Sequence, residues 1–185
     1  MSNETPCPPI ADAEWPQELD HLRGGFATRL NVYRVMAHHP DLLAAWAPLR
    51  GHVVQGSALG QAFSEIVILR TGHRLGSAYE WAHHVSRARA LGLSDARIAS
   101  IAGPLSGMTE DDAALAGAVD ALFDAHRLAP GQERDLAERF GRKAVFDLVA
   151  TVAFYSTLGY LLNTYTPPLD TDIAEELAAR PLDPG

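Results

Sequence analysis

The chain reads as all-α, and three observations carry that reading. No run of strand length alternates cleanly between apolar and polar residues. Gly, Pro and Ser/Thr/Asp residues punctuate the sequence at helix-length intervals, where helices start and stop. The apolar stretch from Val145 to Leu162, interrupted only by Asp147, Thr151, Ser156 and Thr157, is longer than strands usually run and predicts a buried core helix.

Taken in order, residues 1–15 form a polar, Pro-rich lead-in with no expected regular order. A helical block is predicted from Glu18 to Met36, ended by His38-His39-Pro40, because the residue before proline is pushed out of the helical region. Asp41 is expected to cap a helix carrying Leu42, Leu43 and Trp46, with Pro48 and Gly51 near its end. Gly56 to Gly60 marks a loop, and the next helix begins near Glu65 and runs to about Leu75. Ser77 is a candidate N-cap for a helix ending at Leu91, with Gly92 in the C′ position. Leu93-Ser94-Asp95 opens a short helix over 96–101, closed by Gly103-Pro104. Thr109-x-x-Asp112 resembles a capping box ahead of a helix over 113–126. Pro130-Gly131 opens a Glu- and Arg-rich helix, and Gly141 leads into the long apolar one, which stops at Thr166-Pro167-Pro168. A polar tail, 167–185, holds one further helix, Asp172 to Ala179. The expected organisation is a single helical domain over 16–166 between the lead-in and the tail.

At 185 residues the chain is long enough for one well-buried core. Its net charge of -8, with 23 acids against 15 bases, argues against a nucleic-acid partner, which calls for a basic face. Cys7 is the sole cysteine, so an internal disulfide, a cysteine-based zinc cluster and a dithiol couple are excluded. No signal-like opening occurs and no apolar run reaches the ~20 residues that cross a bilayer. A cytoplasmic protein with no membrane partner is expected.

Candidate chemistry gathers between Glu65 and His84. On a helix starting near Ser77, residues 77, 80 and 84 share a face, which makes Glu80 and His84 stacked neighbours. A carboxylate there can orient an imidazole or exchange a proton with it. The plainer reading is a surface pair supporting its helix, but Trp81, Ala82, Val85 and Leu91 leave that helix little solvent. Glu65, read as a first-turn acid, has helix capping as its plainer role. His83 stands about a quarter-turn from His84, and Glu80-x-x-His83 is also half of a ferritin-like metal site; no second Glu-x-x-His accompanies it, so no metal is expected. Arg70, His73, Arg74 and Arg87 lie near the same corner. Each could hold an acidic substrate or neutralise Glu65 and Glu80, with Arg87 placed first because it follows His84 by three residues. No Gly-x-Ser-x-Gly elbow, phosphate loop or dinucleotide fingerprint is present.

The spacing Glu65-x11-Ser77-x-x-Glu80-x-x-x-His84 resembles the carboxymuconolactone decarboxylase and alkylhydroperoxidase D superfamily. Its peroxidase branch places redox cysteines where Ser77 and Glu80 stand here. The wording around these positions, Glu-Ile-Val-Ile-Leu-Arg and Gly-Ser-x-Tyr-Glu-Trp-Ala-x-His, is similar to the cysteine-free, decarboxylase-like branch. The likeness runs from about Asn31 to Thr164. It implies an alkylhydroperoxidase D-like helical bundle, assembled as a homo-oligomer, trimer or hexamer. It also implies a cofactor-free lyase or isomerase acting on a small carboxylated or lactone-type compound. His84 would transfer protons, Glu80 would be its partner and Glu65 would complete the relay, while Ser77, Arg87, His83 and Tyr33 would contact the substrate. Two alternatives stay open: a peroxidase-related enzyme without its cysteines, and a ligand-binding scaffold without catalysis.

Overall fold

The computed structural model describes residues 7–182, so the first six residues of the lead-in lie outside it. Ten helices follow in order: α1 Phe26–Arg29, α2 Asn31–Met36, α3 Pro40–Gly51, α4 Gln61–Arg74, α5 Ala78–Ala90, α6 Asp95–Ser100, α7 Glu110–Ala125, α8 Pro130–Phe140, α9 Arg142–Tyr165 and α10 Thr171–Ala179. Among the described residues there is no strand.

Helix α4 is the axis of the bundle, packed against α5, α7 and α9. Every residue from Ser64 to Gly72 is buried, as for a helix enclosed on all sides. Such a helix carries its polar residues inside with it, and here those include Glu65 and Arg70. Gly72 lets α5 approach closely, since a Cβ at that position would lie 3.3 Å from the Cβ of Glu80. The turn from α4 into α5 passes through Gly76 at φ +59°, a left-handed conformation that glycine adopts without strain. Two apolar clusters flank α4. One joins Ile66, Val67 and Leu69 to α5, α6, α7 and the first half of α9. The other joins Ile68 to Trp15, Leu19, α2, α3 and the second half of α9.

Several expectations are corrected. The block from Glu18 to Met36 is broken into a 3₁₀ turn, α1 and α2, because Gly24 takes a positive φ and Leu30 is extended. His39, not Asp41, caps α3: its Nδ1 accepts the Leu42 N–H, and Pro40 occupies the first turn. A π-helical turn, His52–Gly56, follows α3 directly and meets the expected 56–60 loop only at Gly56. The helix expected at 113–126 begins three residues earlier, directly after the Thr109 cap.

Both expected domain boundaries disappear. Within the lead-in, the Ile10 N–H donates to the Arg34 carbonyl, the Arg34 guanidinium donates to the Ile10 carbonyl, and Trp15 is buried in the second cluster. The tail folds as α10 along α5, where Glu176 accepts from Ser86 and Arg89, and the Trp81 indole donates to the Leu182 carbonyl. Apolar and hydrogen-bonding partners far away in sequence hold both ends down.

Helix α9 runs 24 residues, three beyond each end of the apolar stretch. By length and composition it could cross a bilayer, and half of its most apolar window is buried against the bundle, as in a core helix. Its other face is open among the described residues, with Phe146 at 73% and Tyr160 at 61% exposure. The expected core helix is therefore buried on one side and open on the other.

Candidate active site

Glu65 occupies the second turn of α4 rather than its start, so capping is not its role. From there its carboxylate reaches across to α5. His84 Nδ1 lies 2.5 Å from Glu65 Oε2, and His84 Nε2 lies 3.3 Å from Glu80 Oε2. All three side chains are almost completely buried. The imidazole thus stands between two carboxylates supplied by two helices. The edge of the Tyr155 ring from α9 closes a third side, with ring centroids 4.9 Å apart.

Burial alone would drive the His84 imidazolium toward neutrality. The charges and hydrogen bonds of Glu65 and Glu80 outweigh it, so His84 is held above its ordinary value and favours the protonated form. The cluster can therefore store a proton on His84 and accept one on a carboxylate.

Two hollows adjoin the cluster. The larger, of about 200 Å³, is lined by Val53, Val54, Gln61, Glu65, Ile68 and Arg87 among others. The smaller, of about 20 Å³, has room for roughly one water and is lined by Tyr33, Glu80, His83 and His84. Arg87 and Tyr155 border both. Arg87 is partly exposed and 3.8 Å from Glu65 Oε1, too far for a tight pair, which leaves its guanidinium free to meet another anion.

The remaining candidates separate. Tyr33 lines the small hollow, and its hydroxyl accepts from Arg50 Nε at 3.1 Å. Burial pushes the Tyr33 phenol up to about 12, against the opposing pull of Arg50. His83 also lines the small hollow and lies against Asp170 and Tyr79. Its Nε2 lies 3.0 Å from Asp170 Oδ2, off the line of a hydrogen bond, and its ring stacks on Tyr79 at 4.3 Å. Ser77 is buried and precedes α5 in extended backbone, but its hydroxyl neither caps the helix nor lines either hollow.

Arg70 and Arg74 are absent from both hollows. They bind Asp120, and Arg70 also donates to the Ile101 and Gly103 carbonyls, which ties α4 to α7 and the turn after α6. Burial and the neighbouring Arg70 push His73 below its ordinary value.

The sequence reading missed Tyr155, Tyr79 and Asp170. Tyr79 was legible in principle, four residues before His83 on one helix. Its hydroxyl accepts the Val32 N–H and donates to Asp170 at 2.5 Å, while Asp170 also accepts the Asn31 N–H. Burial would raise Asp170, but the adjacent His83 ring, together with these hydrogen bonds from Tyr79 and Asn31, outweighs it and holds the carboxyl below the usual range. No local signal marks Tyr155 or Asp170, because their partners are brought to them only by folding.

The family model described as the carboxymuconolactone decarboxylase family matches residues 40–124, a span from α3 into α7. Among solved structures, the chain is similar to the debrominase Bmp8, determined with a cysteine replaced by alanine and in complex with 2,3,4-tribromopyrrole. The TM-score is 0.76 at 16% identity, covering 97% of this chain and 99% of the other, a likeness that shows a shared fold. No curated protein matches. The segment that carries Glu65, Glu80 and His84 thus matches the carboxymuconolactone decarboxylase family, and the all-α bundle as a whole shares its fold with the debrominase.

Proposed function

We propose that the chain is a cofactor-free lyase or isomerase that moves protons next to a carbonyl in a small carboxylated or lactone-type compound. The observation that carries this reading is the buried His84 imidazole held between Glu65 and Glu80 beside a hollow that Arg87 borders. In the decarboxylating form, the bond between the substrate's carboxylate carbon and its α-carbon breaks. Its electron pair moves toward the neighbouring carbonyl oxygen, and carbon dioxide leaves. The enolate then takes a proton from the His84 imidazolium at carbon, and the carboxylates balance the change in charge. Glu65, with the shorter contact, orients the ring, and Glu80, with the longer one, is the acid/base partner. Arg87 anchors the anionic group.

Thiol chemistry fits these residues poorly, because Ser77 and Glu80 occupy the two cysteine positions of the peroxidase branch. Cys7 borders neither hollow. The debrominase was solved with a small five-membered ring bound, and a lactone ring is of comparable size. The test is a screen of small carboxylated lactones and β-keto acids for carbon dioxide release. Turnover of at least one compound is expected, whereas a folded protein inert across the panel would defeat the decarboxylating form.

A homo-oligomer, trimer or hexamer, is part of the same proposal, supported by the open apolar face of α9 around Phe146 and Val149. A stable ~20 kDa monomer by light scattering at micromolar concentration would count against it.

A further inference from the structure

Tyr155 is the residue at the cluster whose polar group has no hydrogen-bond partner among the described residues. Its ring is pinned by the His84 edge contact and by Phe154 at 5.2 Å, and the residue as a whole is 4% exposed. Buried tyrosine hydroxyls ordinarily find a hydrogen-bond partner. The other tyrosines near the site obey this, Tyr33 through Arg50 and Tyr79 through Val32 and Asp170. The Tyr155 hydroxyl makes no hydrogen bond with any described residue. It is also not among the sealed, unpaired polar atoms, so it opens onto the space that Tyr155 lines between the two hollows. Glu65 and Arg87 line the larger hollow with it, and Tyr33, Glu80 and Arg87 the smaller one.

We infer that Tyr155 is a catalytic hydrogen-bond donor, aimed at the substrate oxygen on which negative charge builds as the enolate forms. This rests on the proposed acid/base reading and adds the group that reading lacked. A proton taken from or returned to carbon leaves its charge on the adjacent oxygen. Glu65 and Glu80, being carboxylates, would repel that charge. Arg87 offers a charge that the substrate's own carboxylate claims. A neutral donor is what remains to be supplied, and a preorganised one is worth more in a dry site than in water. Burial pushes the Tyr155 phenol well above its ordinary value, with further upward pushes from Tyr33 and the two glutamates, so it keeps its proton. The segment matched by the family model ends at residue 124, so Tyr155 comes from outside it.

The test needs no substrate. 4-Nitrophenolate, a small planar oxyanion, is titrated by absorbance into the wild type and into Tyr155→Phe, which keeps the ring and removes only the hydroxyl. The wild type should bind the anion and lower the apparent pKa of the bound phenol. Tyr155→Phe should weaken binding about ten- to a hundred-fold, the range for a hydrogen bond to a charged group. Its melting temperature should be unchanged, since no contact within the protein is lost. Equal affinity in the two proteins, no binding to the wild type up to millimolar probe, or a hydroxyl-dependent fall in melting temperature without a change in affinity would each overturn the inference. A silent carbon dioxide screen combined with Tyr155-dependent anion binding would sink the decarboxylase reading alone.

Discussion

Helix α4 carries two buried polar clusters on different sides, and they are finished to different degrees. Toward α7, Arg70 spends its donors on both Asp120 oxygens and on two backbone carbonyls, and Arg74 shares Asp120 and pairs with Asp124. Toward α5, the Glu65–His84 contact is tight, but Glu80 stands 3.3 Å from the ring and Arg87 stands 3.8 Å from Glu65. The Tyr155 hydroxyl beside them is unmatched, and the space around them is hollow. A saturated network braces two helices and has nothing left to offer a ligand. One that is incomplete and faces a cavity keeps its costly groups for something outside the chain. Both clusters drew notice in the sequence as charged residues near one corner, and degree of completion is what tells them apart.

The sharpest way to break the comparison is to exchange the expected outcomes. His84→Gln removes the proton-transferring group while keeping a polar side chain. It should lower kcat about 10²–10⁴-fold on any substrate the screen identifies. Unchanged turnover in a well-folded variant would reduce the α5 cluster to a helix pair.

Arg70→Ala should do the reverse. Leaving Asp120 without its main partner should cost about 3–5 kcal/mol of stability in urea unfolding, with kcat per folded molecule nearly preserved. A large kcat loss without destabilisation would place Arg70 in the chemistry after all.

Smaller effects follow from pH, and the two clusters should drain at opposite ends of the scale. His84 lies above its ordinary 6.5 in the folded chain, because its two carboxylates outweigh burial. The stability it contributes is complete below that value and is lost as pH rises through the higher folded value. Asp120 lies below its ordinary 3.8, with hydrogen bonds from Arg70 and Arg74 overcoming burial, so its contribution is present above that value and lost as pH falls. Melting temperatures of the wild type and His84→Gln should therefore converge on the alkaline side. Those of the wild type and Arg70→Ala should converge on the acid side. Parallel curves would show that neither cluster is linked to folding in this way.

The smallest expected effect belongs to Cys7→Ser, which should leave both turnover and stability within error. A peroxide-reducing rate that vanishes with this change would revive the thiol reading and overturn the acid/base one.

Much of the site was legible because helix geometry is local. Four residues make one turn, so Glu80 and His84 could be placed side by side from spacing alone. The same rule explains the overreach at Ser77. Spacing puts it on the shared face, but at the helix entrance the backbone is extended, and the hydroxyl lines neither hollow. His83 lines the small hollow as well, but its ring is held by groups that spacing does not show. Its direction is set by Tyr79 beside it and by Asp170 from the tail, and a tail read as polar and separate gives no cause to look there.

What the sequence by itself determined is the helical architecture, the position of most helices and the Glu80–His84 pairing, because capping, turn chemistry and the 3.6-residue period act over a few residues. It also determined that no cysteine lies between Glu65 and His84. Only the tertiary structure decided that Glu65 holds His84 more closely than Glu80 does, that Arg70 braces α7, and that Tyr155 and Asp170 join the neighbourhood. Those outcomes depend on how closely α4, α5 and α9 pack. That closeness is set by Gly72 against Glu80 and Gly159 against Leu75, contacts between different helices whose energy appears only when the core closes.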